Sequence, residues 1–108
     1  MKNMITIFYL NFAVLIGCIG VSKGSDFQKG YDAWSKGHYA TALGEFIPLA
    51  KQGYANAQFN LGVMYDNGQG VSQDYKEAVK WYRLAAKQGD ANAQFNLGVM
   101  YDNGQGVS

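Results

Sequence analysis

Residues 55–72, ANAQFNLGVMYDNGQGVS, recur without a single change as residues 91–108, 36 positions later. Self-similarity at a period of this length is typical of a repeat array, in which each unit is one supersecondary element that cannot bury its apolar face alone. Such units gain stability by stacking on their neighbours, and the stack presents an extended surface rather than a catalytic pocket. The sequence therefore predicts a protein that acts by binding.

The spacing of small and apolar residues predicts two α-helices in each unit. The first helical face comprises Ala57, Leu61, Met64 and Tyr65. The second comprises Ala78, Trp81, Tyr82 and Ala85. The repeats are also rich in Ala, Leu, Gln, Lys and Met, which favour helix over strand. We therefore expect an all-α fold without a sheet: an α/α solenoid of antiparallel helix hairpins, with about two and a half repeats, preceded by an N-terminal hydrophobic signal helix.

Start and stop signals predict five helices after the N-terminal segment, at residues 26–36, 39–52, 55–67, 74–88 and from 91 onward. An S-x-x-Q motif beginning at Ser25 and a D-x-x-E motif beginning at Asp74 have the form of capping boxes for the first and fourth helices. Asp90 can cap the fifth helix through its carboxylate, whereas Tyr54, at the equivalent position, cannot cap the third.

Pro48 is the single proline and lies inside the second predicted helix. Proline has no backbone N–H, and its ring crowds the carbonyl four residues earlier, here that of Gly44. We expect a kink at this point, because an unrelieved proline inside a helix costs about 3 kcal/mol.

The composition limits the chain to one small domain and disfavours a nucleic-acid partner. The chain has 108 residues, of which 48% are hydrophobic, with nine basic and eight acidic side chains. Binding to nucleic acid needs Lys and Arg gathered on one face, and no such cluster is present. Removal of the first 24 residues would take away two lysines and leave seven bases against eight acids. We expect no nucleic-acid partner in either form.

The first 24 residues have the pattern of an export signal. Lys2 precedes an apolar run over residues 4–21, and small residues follow before a cut that we place after Gly24. We expect an exported, periplasmic protein whose folded part spans residues 25–108. The alternative is a permanent membrane anchor, since the run is almost long enough to span a bilayer. Contact with a membrane is expected only through this segment.

Cys18 is the only cysteine, so an internal disulfide is excluded. The string Leu15-Ile16-Gly17-Cys18 resembles a bacterial lipoprotein cleavage box, which implies a signal over residues 1–17 and a lipid on Cys18. The protein would then be a membrane-tethered adaptor. The alternative is that Cys18 is a small hydrophobic residue within the export signal.

The strings NAQFNLGVMYDNGQGV and DYKEAVKWYRLAAKQGDANAQ resemble the bacterial Sel-one-like repeat, a relative of the tetratricopeptide repeat. The resemblance begins at Phe27 and divides the domain into a tetratricopeptide-like hairpin (25–53), a full repeat (54–89) and a truncated repeat (90–108). The first hairpin has a shorter loop, with 12 residues from Gly30 to Ala42 against 16 from Gly62 to Ala78. We expect this hairpin to cap the array.

The resemblance implies that the first helix of each unit lines the inner face of the solenoid. The implied residues are Asn56, Phe59, Val63 and Asp66 in the full repeat, Asn92, Phe95, Val99 and Asp102 in the last unit, and Phe27, Tyr31 and Trp34 in the first. Exposed aromatics and amides suit a protein or peptide partner, whose identity is unknown. The alternative is that some of these residues pack between units. The basic residues with which some tetratricopeptide proteins hold a peptide carboxylate are missing, and only Asn60 fits that pattern.

No motif for catalysis, a cofactor or a metal stands out. Gly68-Gln69-Gly70 follows a helix rather than a strand and lacks the lysine of a phosphate-binding loop. Asp66-Asn67-Gly68 lacks the spaced oxygen ligands of a calcium loop. His38 has no nucleophile in a shared motif, and the Trp81-Tyr82 pair is expected in the core. The sequence predicts a non-enzymatic scaffold. The alternative is a β-lactamase-like or penicillin-binding member of the repeat family, although such relatives carry paired cysteines.

The printed chain stops in the glycine-rich loop of the last unit, which leaves Leu97, Met100 and Tyr101 without a partner helix. We expect either that the sequence is a fragment of a longer array, which we favour, or that the open end mediates end-to-end self-association.

Overall fold

The structure, a computed structural model, describes residues 24–107. In this range the chain forms five helices and no strand, which confirms the predicted all-α solenoid. The helices are α1 (Phe27–Ser35), α2 (Tyr39–Gln52), α3 (Ala55–Asn67), α4 (Tyr75–Lys87) and α5 (Ala91–Asn103). Cys18 and the rest of the predicted export signal up to residue 23 lie outside the described residues. Among the helices described, none is both long enough and apolar enough to cross a membrane.

The first helix is capped by Asp26, and the expectation of a cap at Ser25 was wrong. A carboxylate oxygen of Asp26 accepts a hydrogen bond from the backbone N–H of Lys29 at 3.2 Å. The backbone N–H of Asp26 donates to Glu45 Oε1 of α2 at 2.7 Å. The helix begins one residue later than the S-x-x-Q motif indicates, because Asp26 and not Ser25 supplies the cap.

The later helix starts follow the sequence more closely. Asp74 accepts from the N–H of Glu77 at 3.1 Å, and Asp90 accepts from the N–H of Ala93 at 2.9 Å. Tyr54 makes no side-chain cap bond to α3, although its backbone has the extended conformation of a cap residue. Two helices with the same sequence, α3 and α5, therefore begin with different caps.

Pro48 lies within α2 without ending it. The helix continues from Tyr39 to Gln52 and stops at Gly53, whose φ of 105° lies in the left-handed region that glycine adopts readily. Leu49 and Ala50, which follow the proline, are buried against Ala57 and Leu61 of α3. Tertiary packing on α3 therefore holds together a helix that its own sequence disfavours.

Each helix packs on the next along the chain, and aromatic side chains of α2 and α4 enter gaps left by glycine in α1 and α3. A Cβ atom added at Gly30 would lie 2.8 Å from Phe46 Cε1, and one added at Gly62 would lie 2.6 Å from the ring of Tyr82. Both aromatic side chains are fully buried. We call these two sites, together with the equivalent position at Gly98 in α5, the glycine notches.

Glutamine side chains join consecutive units. Gln58 of α3 donates to the carbonyl of Ala50 at 3.1 Å, and 36 residues later Gln94 donates to the carbonyl of Ala86 at the same distance. In the loop after α3, Gln69 accepts from Trp34 Nε1 at 2.9 Å. The repeated bond shows that each unit is joined to the previous one in the same way, which places α3 and α5 in equivalent positions along the array.

Candidate functional site

Helices α3 and α5 have the same thirteen residues but different surroundings. In α3, Phe59, Val63 and Asp66 are all partly buried. Their counterparts Phe95, Val99 and Asp102 in α5 are exposed, with 71% of Phe95 and 38% of Val99 accessible to solvent. Because the sequences are identical, the difference comes entirely from what packs on each helix.

The residue that covers α3 is Tyr82 of α4. Its ring lies 5.8 Å from that of Phe59, centroid to centroid, and its hydroxyl donates to Asp66 Oδ2 at 3.2 Å. Val63 and Phe59 both pack on the buried cluster that contains Tyr82 and Ala78. The side of α3 predicted to bind a partner is therefore largely occupied by the chain itself.

The corresponding side of α5 is exposed to solvent within residues 24–107. A Cβ atom added at Gly98 would meet nothing within 4 Å, in contrast to the crowded notch at Gly62. The surface formed by Phe95, Gly98, Val99 and Asp102 is named here the open face of α5. It combines an aromatic ring and an aliphatic side chain with a carboxylate, and aromatic residues are enriched in protein interfaces.

The asparagines predicted to contact a partner differ in their exposure to solvent. Asn56 and Asn92, in the first turns of α3 and α5, are exposed. Asn60 is 6% exposed, so little of its surface is accessible to a peptide in solution. Asn96, its counterpart, is partly buried and donates to the Tyr82 hydroxyl at 3.3 Å. Partner contact by Asn56 and Asn92 stays a prediction.

The aromatic residues of the first unit form a connected group. The ring centroid of Phe27 lies 5.4 Å from that of Phe46 and 6.1 Å from that of Tyr31. The ring centroids of Tyr31 and Trp34 are 5.5 Å apart. Tyr31 is 42% exposed, whereas Phe27 and Trp34 are partly buried. The first unit therefore contributes one accessible ring, Tyr31, to the predicted partner surface.

Tyr82 is the one residue of the site whose acid–base behaviour departs clearly from the ordinary. Burial raises the pKa of its hydroxyl well above the ordinary value of 10.0. The nearby Asp66 carboxylate raises this pKa further, while the hydrogen bond from Asn96 lowers it. Tyr82 consequently remains neutral at physiological pH and acts as a hydrogen-bond donor to Asp66.

The other titratable side chains do not gather into one site. His38 is exposed and borders a shallow groove of about 390 Å³ that also involves Asp26, Lys29, Asp32 and Lys36. The negative charges of the two carboxylates in this groove balance the positive charges of the two ammonium groups. Within residues 24–107, no group of three or more His, Cys, Asp and Glu side chains is placed to hold a metal ion.

The repeat seen in the sequence and in the hydrogen bonds matches a known family. The model of the Sel1 repeat matches residues 55–90 and 91–108, which together make half of the chain. The chain belongs to the Sel1 repeat family. Sel1 repeat proteins are in general non-enzymatic scaffolds for protein–protein interaction with a tetratricopeptide-like helical fold.

Two solved structures resemble this Sel1 repeat chain closely. A Sel1 repeat protein from Oxalobacter formigenes is 36% identical with a TM-score of 0.73, over 77% of this chain and 34% of that protein. The protective antigen c5321 of uropathogenic Escherichia coli, which displays an SLR fold, is 44% identical with a TM-score of 0.69, over 75% of this chain and 18% of that protein. This Sel1 chain thus spans about a third or less of either relative. Among curated proteins, none matches it.

In the sequence, Gly62 served only to measure the loop to Ala78, and Gly98 carried no signal of its own. The usable signal is the pairing of each glycine with a later aromatic residue. Phe46 follows Gly30 by 16 positions, and Tyr82 follows Gly62 by 20, where the loop is longer. These pairs identify Gly30 and Gly62 as the glycines that an aromatic side chain contacts.

Proposed function

We propose that this Sel1 repeat protein is an exported, non-enzymatic scaffold that binds a protein partner through exposed residues on the first helices of its repeats, Phe95 among them. The observation that carries the proposal is the 71% exposure of Phe95, beside an identical helix whose Phe59 is packed against Tyr82. Large aromatic side chains are enriched in protein interfaces, where they contribute much of the binding energy.

The inner-face residues Asn56, Asn92 and Tyr31 extend this surface along the array, because they lie on the first helices of successive units and are exposed. The general role of Sel1 repeats as interaction scaffolds supports binding over the hydrolase alternative. The scaffold therefore needs no cofactor to act, and its chemistry is that of surface complementarity.

A pull-down from the bacterial envelope fraction tests the proposal. The full chain is compared with Phe95→Ala and with Leu84→Ala, which removes a 39% exposed side chain from α4 outside the open face. A partner that the chain and the Leu84 variant retain, and that the Phe95 variant loses, supports the proposal. Partners that all three proteins retain equally count against the open face.

Export is the second part of the proposal, and it rests on the apolar run that follows Lys2. Two forms are distinguishable: a periplasmic protein cut after Gly24, and a membrane-tethered adaptor with a lipid on Cys18. The intact mass of the protein recovered from the envelope separates them. A mass that begins at Ser25 supports the first, and diacylglyceryl addition at Cys18 supports the second. An uncleaved chain in the cytoplasm would count against both.

A further inference from the structure

Helix α4 carries a row of lysines on the side that faces away from the other helices. Lys76, Lys80 and Lys87 are separated by four and seven residues, which places them on one face of the helix. All three are exposed, whereas the opposite side of α4, around Tyr82, is buried. Lys51, which precedes Lys87 by 36 positions, is exposed at the equivalent place on α2. We call these four side chains the lysine ridge.

A following repeat unit does not cover the positions of the ridge. Helix α2 has a complete unit packed after it, so the residues of α2 that correspond to the three α4 lysines show what such a unit covers. These residues are Ala40, Gly44 and Lys51, and all three are exposed. Ile47, which corresponds to Arg83, is instead partly buried and packs on the cluster that joins α2 to α3 and α4. Arg83 is therefore not counted in the ridge.

The positive charge of the ridge is concentrated and only partly balanced. Six lysines lie within residues 24–107, and four of them belong to the ridge. The two helices of identical sequence, α3 and α5, contain no basic residue. Lys80 pairs with Glu77 at 3.2 Å, and the other three ridge lysines form no ion pair with any described residue. This gathering corrects the sequence-based expectation that no basic cluster is present.

The energetics of the helices themselves explain only part of the ridge. Lys51 and Lys87 lie in the last turns of α2 and α4, where a positive charge interacts favourably with the helix dipole. Lys76 is the second residue of α4, and at that end the same dipole disfavours a cation. The charge of Lys76 therefore does not help to form α4, and an explanation for it has to come from outside the helix.

A flat anionic surface fits the ridge better than a peptide or a nucleic acid does. A peptide site needs a pocket that anchors a side chain, and the groove beside His38 includes none of the ridge lysines. The one large apolar side chain exposed on α4 is Leu84. A nucleic-acid site needs side chains that stack on bases or read their edges, and the ridge has none. A layer of anionic phospholipid headgroups requires only the point charges that lysine supplies.

We infer that the lysine ridge contacts the headgroups of an anionic phospholipid membrane, with α4 lying parallel to the membrane surface. The contact is electrostatic and reversible, because four lysines are enough for a polybasic membrane site and no apolar helix face is free to insert. The contact goes beyond the proposed scaffold function, since it needs no protein partner. The first helices α3 and α5 pack on the opposite side of α4, so their exposed residues stay accessible.

Lysine footprinting on vesicles tests the inference residue by residue. The full chain is mixed with vesicles of phosphatidylcholine, either alone or with an equal share of phosphatidylglycerol, and is acetylated briefly before mass spectrometry. We expect the four ridge lysines to react several-fold more slowly on the anionic vesicles than on the neutral ones. Lys29 and Lys36 of the first unit should react at the same rate on both. Equal rates for the ridge lysines on the two kinds of vesicle would overturn the inference.

Two double variants of equal net charge test whether the position of the lysines matters. Lys76→Gln with Lys80→Gln removes two charges from the ridge, and Lys29→Gln with Lys36→Gln removes two from the first unit. The quantity compared is the ratio of the partition coefficients on anionic and neutral vesicles, so the N-terminal apolar run, present in every variant, cancels. We expect this ratio to fall about 25-fold for the ridge variant, at about fivefold per lysine, and much less for the control.

Added salt should lower the ratio for the unchanged chain, because the charges are exposed and are screened. Circular dichroism shows whether both double variants keep their helix content. Equal losses in the two variants would contradict a contact made by the ridge.

An acidic protein segment is the other kind of ligand that would neutralise the ridge. The pull-down from the envelope fraction, repeated with Lys76→Gln and Lys80→Gln, detects such a segment. A partner lost from this variant, together with unprotected ridge lysines on anionic vesicles, would overturn the membrane contact in favour of an acidic protein. Ridge lysines protected by anionic vesicles, in a chain whose double variant retains every partner, support the membrane contact.

Discussion

Gly62 and Gly98 are the same residue in the same local sequence, and they tolerate an added methyl group very differently. The ring of Tyr82 lies where the Cβ of residue 62 would be, whereas the space at residue 98 is open. We predict that Gly62→Ala lowers the free energy of unfolding by about 1–3 kcal/mol through overpacking. Gly98→Ala should raise it by about 0.5–1 kcal/mol, because alanine favours the helix.

Urea denaturation of the two variants and the unchanged chain measures both effects. Gly44→Ala in α2 provides a second open position, where the same small gain as at residue 98 is expected. Equal changes at residues 62 and 98 would contradict the contact between Gly62 and Tyr82.

Tyr82 should also make the free energy of unfolding depend on pH in the alkaline range. Since burial raises the pKa of its hydroxyl above 10.0, the folded state holds this proton at pH values where the unfolded chain has released it. The contribution of the protonated Tyr82 hydroxyl to the free energy of unfolding is fully present below pH 10 and is lost as the pH rises further. We predict that the free energy of unfolding falls more steeply above pH 10 in the unchanged chain than in Tyr82→Phe.

The comparison uses denaturation curves from pH 7 to pH 11. At neutral pH the Phe variant should be less stable by about 1 kcal/mol, because Asp66 and Asn96 lose their partner. The other tyrosines titrate in both proteins and cancel in the difference. Parallel curves for the two proteins above pH 10 would refute the contribution of Tyr82.

At the scale of the helix, α3 and α5 differ in how they begin. Asp90 caps α5 through a bond to the N–H of Ala93 at 2.9 Å, whereas Tyr54 offers α3 no acceptor. Tyr54 is 55% exposed, so its replacement removes little packing. We predict that Tyr54→Asp stabilises the domain by about 1 kcal/mol in thermal or chemical unfolding.

The reverse change, Asp90→Tyr, serves as the control and should destabilise the domain by a similar amount. A lower melting midpoint for Tyr54→Asp would show that the uncapped start of α3 is not limiting.

Helix α2 contains a second local weakness, at Pro48. The proline cannot donate to the carbonyl of Gly44, yet α2 is continuous because Leu49 and Ala50 are buried against α3. We predict that Pro48→Ala stabilises the domain by about 1–3 kcal/mol, as the missing hydrogen bond forms and ring crowding is relieved. Chemical denaturation measures the change, and a loss of stability would show that the proline ring packs favourably in α2.

Most of the helix pattern was predictable because it depends on neighbours in the sequence. The apolar period defines the helices, Gly53 ends α2, and Asp74 and Asp90 supply caps within three residues. The start of α1 was missed by one residue, because Ser25 and Asp26 are both capping residue types and only Asp26 accepts from a backbone N–H, that of Lys29. The contact of Asp26 with Glu45, 19 residues away, could not be read from the local sequence.

The candidate site was less predictable for the same reason. The thirteen residues around Phe59 and Phe95 are identical, so the local sequence does not separate them, and the difference comes from α4, which follows α3 and packs on Phe59. The ring of Tyr82 packs on Phe59, whereas Phe95 is exposed. The inner-face assignment named both residues, and the structure gives them different surroundings. Their contact with a partner remains to be tested by the pull-down.

Across the whole molecule, the two identical helices offer an internal comparison of stability. Helix α3 packs on both α2 and α4, whereas α5 packs on α4 and has an open face. We predict that amide hydrogens in α3 exchange with solvent at least about tenfold more slowly than the equivalent amides in α5. Because the sequences match, intrinsic exchange rates cancel and the ratio reports packing alone.

The measurement requires NMR with assigned resonances, since peptides from the two helices have the same mass. Equal exchange rates in the two helices would contradict the difference in packing.

Because α3 and α5 have the same sequence, natural selection acts on two copies of one helix that have different surroundings. A Cβ atom at residue 62 would meet the ring of Tyr82, whereas one at residue 98 meets no described atom within 4 Å. Where the exposed side of α5 binds no partner, positions 95, 98 and 99 should diverge from positions 59, 62 and 63. Where it binds a partner, the two copies should stay alike, so natural variation among duplicated units records whether the surface is in use.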